Sequence, residues 1–365
     1  MFDEFGPEKI IEVYNPKLGM KGVVVIDNTA LGPGKGGIRF TPTVDKGEVF
    51  KLARTMTWKN ALAELPFGGA KAGIIGNPKQ MSHDEKDAWV KAFAEGLKCV
   101  CPGQYIAAPD ISMAEHEMEI FVNTIGDKKA CTGKPEHMGG LPHELGSTGF
   151  GVFHAAKVAI EHLGLDIKQV TFGVEGFGNV GLFVSKFMTE AKAKLVAVSD
   201  SKGTLYNKDG IDFKKLEKVK KETGKVTSYG EGKVFPCKDI IYQDVDVLVT
   251  AAIPDLIKKE DVPKIKAKLI VAGSNIPTTP EVEAALAKRG ILVVPDFVAN
   301  AGGVISSYVE HINGTKEQMF KLIEEKITKN TKLVLEKAEQ EGIIPREAGL
   351  KIAKQRVLAK CKTCK

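Results

Sequence analysis

The sequence predicts an α/β protein of two domains, and three observations predict it. From Gln169 onward, short β-rich runs (VTFGV, KLVAV, VDVLV, KLIVA and ILVVP) alternate with helical stretches, and each run precedes a turn bearing Gly, Pro or Ser. That is the pattern of a parallel sheet wound by helices. The first 140 residues have a different texture, in which strands such as KGVVVID and KAGII are separated by an amphipathic helix from about Val49 to Leu65. After Gly303 the chain turns helical, with a charged amphipathic stretch from Lys316 to Glu341 and a last helix near Glu347 to Ala359.

The expected division is residues 1–140 with the C-terminal helices 320–365 packing back as one domain, and residues 141–319 as the other. The boundary falls in GGLPHELGSTGFG, between Gly139-Gly140 and Gly151, which is rich in turn residues. A chain of 365 residues is long enough for two cores of ordinary size. A cleft between two such domains is where a small substrate is expected to meet a cofactor.

Charge argues against nucleic acid as a partner. The net charge of +6 rests on 52 basic and 46 acidic residues mixed along the chain. The densest lysine run, Lys214 to Lys225, is broken by Glu217 and Glu222 and reads as a solvated helix face. The opening MFDEFGPEKI has no apolar signal region, and no apolar run approaches membrane-spanning length, so a cytoplasmic protein without membrane partners is expected.

Six cysteines in so long a chain do not resemble a disulfide framework, and reduced thiols are expected. Cys99-x-Cys101 with Cys361-x-x-Cys364 offers four thiolates to zinc, against the plainer reading of KCKTCK as a frayed tail. His116-Glu117 begins like a zinc-protease motif, but Ile120 stands at the second histidine position. No metal is expected.

The cofactor signal lies in VTFGVEGFGNVGLFVSKFM. There Gly176-Phe177-Gly178-Asn179-Val180-Gly181 follows an apolar strand and opens an amphipathic helix. The glycines allow a tight turn and close backbone approach, and the helix N-terminus offers free N–H groups and positive dipole to a pyrophosphate. The next strand, KLVAVS, ends in Asp200, about 20 residues past the glycines, where a carboxylate accepts from ribose hydroxyls. Strand, loop, helix, strand and acid together predict a Rossmann-type dinucleotide-binding domain. Asp200 favours NAD, while Ser201 and Lys202 leave NADP or dual use open.

Three lysines occupy costly places. Val49, Leu52, Met56 and Ala63 form an apolar helix face, and Lys59 falls on it. Its stem either snorkels outward or meets an anion supplied by a ligand. Lys71, in PFGGAKAGII, has apolar surroundings that depress an amine's pKa and make it a candidate general base. Lys35 lies in GPGKGGIRF, where flanking glycines admit a ligand, although alone it reads as an ordinary loop lysine. Asp110 ends YIAAPD. It is either a proton-exchange partner for a substrate amine or the N-cap of the helix ISMAEHEMEIF.

GPGKGGIRFTP, TWKNALAELPFGGAKAGI, AAPD, TGKP, STGFG, GFGNVG, SNIPTTPE and PDFVANAGGVISSYVE follow one another from about Leu31 to the final helix. In order and approximate spacing they resemble the glutamate, leucine, phenylalanine and valine dehydrogenases, most nearly the glutamate kind. The resemblance implies NAD(P)-dependent oxidative deamination, a first domain for substrate binding and oligomerisation, and a homohexamer. It makes Lys71 the lysine that activates water against the imino carbon, Asp110 its proton-transfer partner and Lys59 the holder of the α-carboxylate. By the same resemblance, Lys35 and Ser307 are expected to face the substrate side chain. Thr148, Asn179, Asn275 and Asn300 join Gly176, Phe177, Gly178, Val180 and Asp200 at the cofactor.

Some positions depart from the family pattern. Ala272-Gly273-Ser274-Asn275 replaces EGAN, Ile276 stands for Gly before the PTT motif, and Leu141 and Glu175 replace Ser and Gln. The compact N-terminus, YNPKLGMKGVVVIDNTALGP, is closer to leucine dehydrogenases. A branched-chain substrate and a silent NAD-binding homologue are therefore the alternatives.

Overall fold

Strand content concentrates in two sheets, one in each of two compact units of the computed structural model, which describes residues 2–142, 145–362 and 364. The first unit comprises Met1–Leu145, Val304–Met319 and Lys351–Lys365, and the second Gly146–Gly303 and Phe320–Leu350.

In the first unit the strands are β1 (Lys9–Asn15), β2 (Met20–Asn28), β3 (Gly34–Lys35), β4 (Ile38–Thr41), β5 (Gly68–Ile75) and β6 (Tyr105–Ile106), in the order β1-β2-β5-β3-β6 with β4 also pairing β5. The β1, β2 and β5 strands are antiparallel, whereas β3 and β4 run parallel to β5. Alternation along β2 sends Val24 and Ile26 into one core with Phe93, and Val23 and Val25 into another with Val49 and Ala53. Each such side chain, fully buried, contributes roughly 1.5–3 kcal/mol.

Helix α1 (Lys46–Leu62) starts where Asp45 accepts the Glu48 N–H, three residues before the expected start. Its buried side also differs from the expected stripe: Leu52 and Met56 are half-buried, while Ala53, Thr57 and Asn60 are buried. The cause is close packing on β5, where a Cβ on Gly69 would lie 2.1 Å from Thr57 Oγ1. Only small side chains fit there. Helix α2 (His83–Gly96) opens on a Ser82/Glu85 capping box, and in α3 (Glu115–Ile125) Glu117 accepts the Ala114 N–H.

The second unit carries β7 (Thr171–Glu175), β8 (Lys194–Asp200), β9 (Gly203–Tyr206), β10 (Lys233–Phe235), β11 (Val247–Thr250), β12 (Leu269–Ala272) and β13 (Leu292–Val294), in the order β10-β9-β8-β7-β11-β12-β13. Five strands are parallel as expected, but β9 and β10 are antiparallel at one edge. The chain reverses directly after Asp200, with Gly203 at φ +153°, leaving no room for the helical crossover that a parallel neighbour needs. Helices α4 (Ser147–His162), α5 (Asn179–Glu190), α6 (Phe213–Thr223), α7 (Pro280–Ala287) and α8 (Asp296–Ala299) complete its body.

Three further helices follow, α9 (Gly302–His311), α10 (Lys316–Glu341) and α11 (Pro345–Leu358). They are shared out between the units instead of joining the first as the block 320–365. Arg346, at the start of α11, donates to Glu283 and Asp296 at 2.8–2.9 Å within the second unit. Arg356, at its end, donates to the carbonyls of Ala61 and Leu62 within the first. Among the described residues no helix is long and apolar enough to cross a membrane.

Candidate active site

In the first unit, the ladder around β5 gathers the predicted lysines. Lys71 on β5 pairs across the sheet with Val25, and Lys35 on β3 stands beside Gly69 and Ile106. The segment after β6 returns Pro109 alongside Ile38, which brings Asp110 to Lys71. The two side chains form a tight ion pair, and Arg39 Nη2 reaches the same carboxylate oxygen at 3.4 Å while its Nη1 bonds Glu48. A Cβ on Gly37 would lie 3.3 Å from Lys71 Nζ and 3.0 Å from Asp110 Cβ, so a glycine keeps the space beside the pair open.

Burial depresses the Lys71 ammonium, and Asp110 opposes that shift. Burial alone would raise Asp110, but the Lys71 charge, its hydrogen bond, Arg39 and the Ile111 N–H together hold the carboxyl below its usual range. Asp110 is not the cap of the helix that follows: its side chain takes the Ile111 N–H at 2.7 Å, and α3 begins only at Glu115.

Lys35 is not an ordinary loop lysine. It is only 2% exposed and donates to the Ala107 carbonyl at 2.7 Å. Burial pulls its pKa to about 7, against the opposing influence of Cys131 and Glu310. Lys59 is likewise buried, in the last turn of α1, and does not snorkel. Its neighbour Asn60 donates to the Gly68 carbonyl at 2.6 Å, which fixes that turn against β5. Ser307 is half-buried on α9. One turn further on, His311 is lowered first by burial and then by the charge of Lys35, so this helix end and Lys35 lie near one another.

Sequence reasoning passed over the groups that fix this cluster. Glu310 receives Lys134 Nζ at 2.6 Å and the N–H groups of Gly133, Lys134 and Leu141, which ties TGKP to α9. Arg39, inside GGIRFTP, bridges Asp110 and Glu48. Both lie in segments quoted for the resemblance, and the signal available was a charged residue within an otherwise Gly-rich or apolar string.

In the second unit, the GFGNVG turn joins β7 to α5. Gly176 has φ +87°, and a Cβ on Gly181 would fall 1.7 Å from the Gly176 carbonyl oxygen. Only glycine closes this turn. Phe177 is buried, Gly178 and Asn179 are exposed at the start of α5, and Val180 is half-buried. Beside the turn lies a cavity of about 390 Å³ lined by Gly176, Ser199, Asp200, Ser201, Lys238 and Lys258, among others.

Asp200 is already engaged: Oδ1 accepts the Lys202 N–H, and Oδ2 accepts Lys220 Nζ at 2.6 Å and the Val226 N–H at 2.8 Å. A carboxylate has about four acceptor directions, so one stays open for a hydroxyl. The rest of the Lys214–Lys225 run is the solvated face expected, with Lys214, Lys215, Lys218, Lys221 and Lys225 exposed. Glu175, where the family has Gln, is buried and accepts the N–H groups of Ala251 and Ala252 at 3.0 Å each; burial raises it.

Asn300 donates to Asn275 Oδ1 at 2.9 Å and to the Gly273 carbonyl, whereas its own Oδ1 is buried with no donor among the described residues. Thr148 lies near the N-terminus of α4, its Oγ1 3.0 Å from where a Gly303 Cβ would stand. Ile276, in place of the family's Gly, holds φ +49°, a strained position for a β-branched residue. A glycine turn that admits no Cβ, an open cavity ending at Asp200 and an orphaned buried acceptor on Asn300 fit a nicotinamide dinucleotide.

The four-thiolate zinc alternative does not assemble. Cys361 and Cys364 are joined as a disulfide, which corrects the expectation of reduced thiols there, because two residues between them place the sulfurs within bonding reach. Cys99, Cys101, Cys131 and Cys237 are free, and among the described residues no group of three or more His, Cys, Asp or Glu is placed to hold a metal.

Comparison with known proteins agrees with this geometry. Residues 139–363 match the family model described as Glutamate/Leucine/Phenylalanine/Valine dehydrogenase, and residues 7–127 match the Glu/Leu/Phe/Val dehydrogenase dimerisation domain. A glutamate dehydrogenase of Aeropyrum pernix is 41% identical over 90% of this chain and 83% of its own. An NADP-specific glutamate dehydrogenase of Saccharolobus shibatae is 38% identical over 88% and 81%. The crystal structure of the hetero-hexameric glutamate dehydrogenase of Thermus thermophilus, in its Leu-bound form, superposes with TM-score 0.85 at 28% identity, covering 98% of this chain and 89% of that one.

Proposed function

Since the chain belongs to the Glu/Leu/Phe/Val dehydrogenase family of amino-acid dehydrogenases, we propose that it catalyses the reversible oxidative deamination of L-glutamate to 2-oxoglutarate and ammonia. The observation that carries the proposal is the ion pair of buried Lys71 with half-buried Asp110, together with the buried Lys35, whose pKa burial lowers to about 7, in the same sheet. Three such groups are too costly to bury for packing alone and suit a substrate with two carboxylates and an amine.

In this reading Lys59 binds the α-carboxylate, and Lys35 with Ser307 binds the γ-carboxylate. Asp110 takes a proton from the substrate ammonium, which frees the nitrogen lone pair needed as the Cα–H bond breaks. The GFGNVG turn with Asp200, Thr148, Asn275 and Asn300 would hold the dinucleotide, which when bound would supply the acceptor for the two electrons and the hydrogen from Cα. Lys71, whose ammonium burial destabilises, passes its proton to solvent and then, as the neutral amine, takes a proton from water as the oxygen attacks the imino carbon. Asp110 returns its proton to the nitrogen of that adduct, the C–N bond breaks, and the hydroxyl proton of the adduct leaves with the ammonia as ammonium. Positioning and fixed charge supply the rate.

NAD is the proposed dinucleotide, supported by the open acceptor direction on Asp200, with NADP use also within reach of Lys238 and Lys258 beside the cavity. A cytoplasmic homohexamer is proposed, supported by the hexameric relative and the match to a dimerisation domain. Assaying a panel of amino acids with NAD and with NADP tests the function. The proposal expects the highest kcat/KM with glutamate, and a panel led by leucine, valine or tryptophan, or one without turnover, would overturn it.

A further inference from the structure

The Cys361–Cys364 pair, like Cys99-x-Cys101, is a motif of the sequence that the proposed activity leaves unused, and the chain around it is built as more than a loose end. The tail returns to the first unit's sheet: Arg356 holds α11 to the last carbonyls of α1, and the two sulfurs then lie against Asn28 at the end of β2. Asn28 is buried, donates to the Phe5 carbonyl at 2.8 Å, and approaches Cys364 Sγ at 3.5 Å and Cys361 Sγ at 4.0 Å. The Cys364 backbone N–H donates to Cys361 Sγ at 3.0 Å. Both cysteines keep part of their surface in solvent. Beside Cys361 opens a cavity of about 420 Å³, lined by Glu8, Thr29, Ala30, Lys360, Cys361 and Lys362. Glu8, which lines the same cavity, has its two oxygens engaged by the N–H and Oγ1–H of Thr29 at 2.7 Å.

The geometry points to Cys361–Cys364 as a reversible thiol–disulfide exchange site that takes a small anionic thiol, recognised in the cavity between Lys360 and Lys362. N–H donors aimed at both sulfurs stabilise thiolates more than they stabilise a disulfide. The incoming thiolate attacks Cys361 Sγ, the sulfur that lines the cavity, and the Cys361–Cys364 bond breaks. Cys364 leaves as a thiolate facing Asn28 Nδ2 and is then protonated by solvent. A second thiol attacks the mixed disulfide at the reagent's own sulfur, releasing the Cys361 thiolate toward the Cys364 N–H. In total two thiols are oxidised to one disulfide and the protein disulfide is reduced to two thiols. The closed form anchors the end of the chain on β2 at Asn28, which pairs with Gly69 two residues before Lys71. The site is thus joined to the sheet of the proposed active site, but the inference does not depend on that activity.

The test uses the full chain, equilibrated in graded mixtures of reduced and oxidised glutathione, quenched with iodoacetamide and read by mass spectrometry of the C-terminal peptide. The expected result is one reversible transition between none and two labelled cysteines at 361 and 364. Thiols that label at every ratio, or a disulfide that excess glutathione does not open in the folded protein, would overturn the site. The second measurement is the rate of opening in Lys360→Glu/Lys362→Glu, with folding checked by circular dichroism. Opening by the glutathione thiolate, with a net charge of about −2, should slow about tenfold, while opening by the singly charged dithiothreitol thiolate slows much less, because the loss is electrostatic attraction. Equal slowing by both reagents, or no slowing by either, would overturn the recognition of an anionic thiol in that cavity.

Discussion

Lys71 and Lys35 are both buried lysines, yet the proposal asks opposite things of them. Lys71 must give up its proton readily, so Lys71→Ala should fold and bind NADH while turnover falls by at least the 10²–10⁴-fold typical of a general base. A near-normal kcat would remove Lys71 from the chemistry. Lys35, with its pKa near 7, is mostly neutral at pH 8 in the free protein, and a γ-carboxylate beside it must raise that value. Binding of 2-oxoglutarate at pH 8 should therefore take up a proton, measurable by calorimetry in buffers of different ionisation enthalpy, and Lys35→Met should remove most of that uptake. The same shift has a sign for stability. The free fold binds fewer protons than the unfolded chain between pH 7 and the ordinary lysine range, so this group's penalty is full below pH 7 and fades as pH rises through that window. Lys71 and Lys59 were legible in the sequence because each lysine interrupts an apolar string. Lys35 was not, because its GPGKGGIRF setting reads as a loop and its burial comes from strands distant in sequence.

At the scale of elements, the conformation of the GFGNVG turn was almost wholly legible, since strand, glycines, helix and acid are consecutive. Its tolerance is narrow: Gly181→Ala puts a methyl 1.7 Å from the Gly176 carbonyl oxygen and should abolish dinucleotide binding, measured by NADH fluorescence, and lower the melting temperature. Asp200→Ala should raise KM for NAD with little change for NADP, and equal effects on both would refute its ribose role. What could not be read is how an element is approached by its neighbours. The stripe of α1 is rotated because Gly69 brings β5 against Thr57, and β9 turns back as a hairpin because Gly203 reverses the chain. In both cases a glycine, silent in an apolar-periodicity argument, decides the geometry.

The whole molecule shows the limit of dividing a chain by composition. The change of texture near residue 140 lies close to the boundary at Leu145 between the two compact units, but α11 is divided between them, its Arg346 and Arg356 each bonding partners 50 to 295 residues away in sequence. As a proposed homohexamer the protein should sediment at six times the 39.4 kDa chain mass, and a stable monomer or dimer at micromolar concentration would contradict that assembly. Substrate choice is the claim on which the account as a whole rests. A lysine and a hydroxyl converging on one side chain leave polar groups unpaired beside leucine, at about 1–3 kcal/mol each, whereas a γ-carboxylate satisfies both. The most direct measurement is the ratio of kcat/KM for glutamate to that for leucine, in the wild type and in Lys35→Leu combined with Ser307→Val. The account predicts a wild-type ratio of about a hundred or more that collapses in the double variant. A wild type that prefers leucine, or a ratio that the two substitutions leave unchanged, would contradict it.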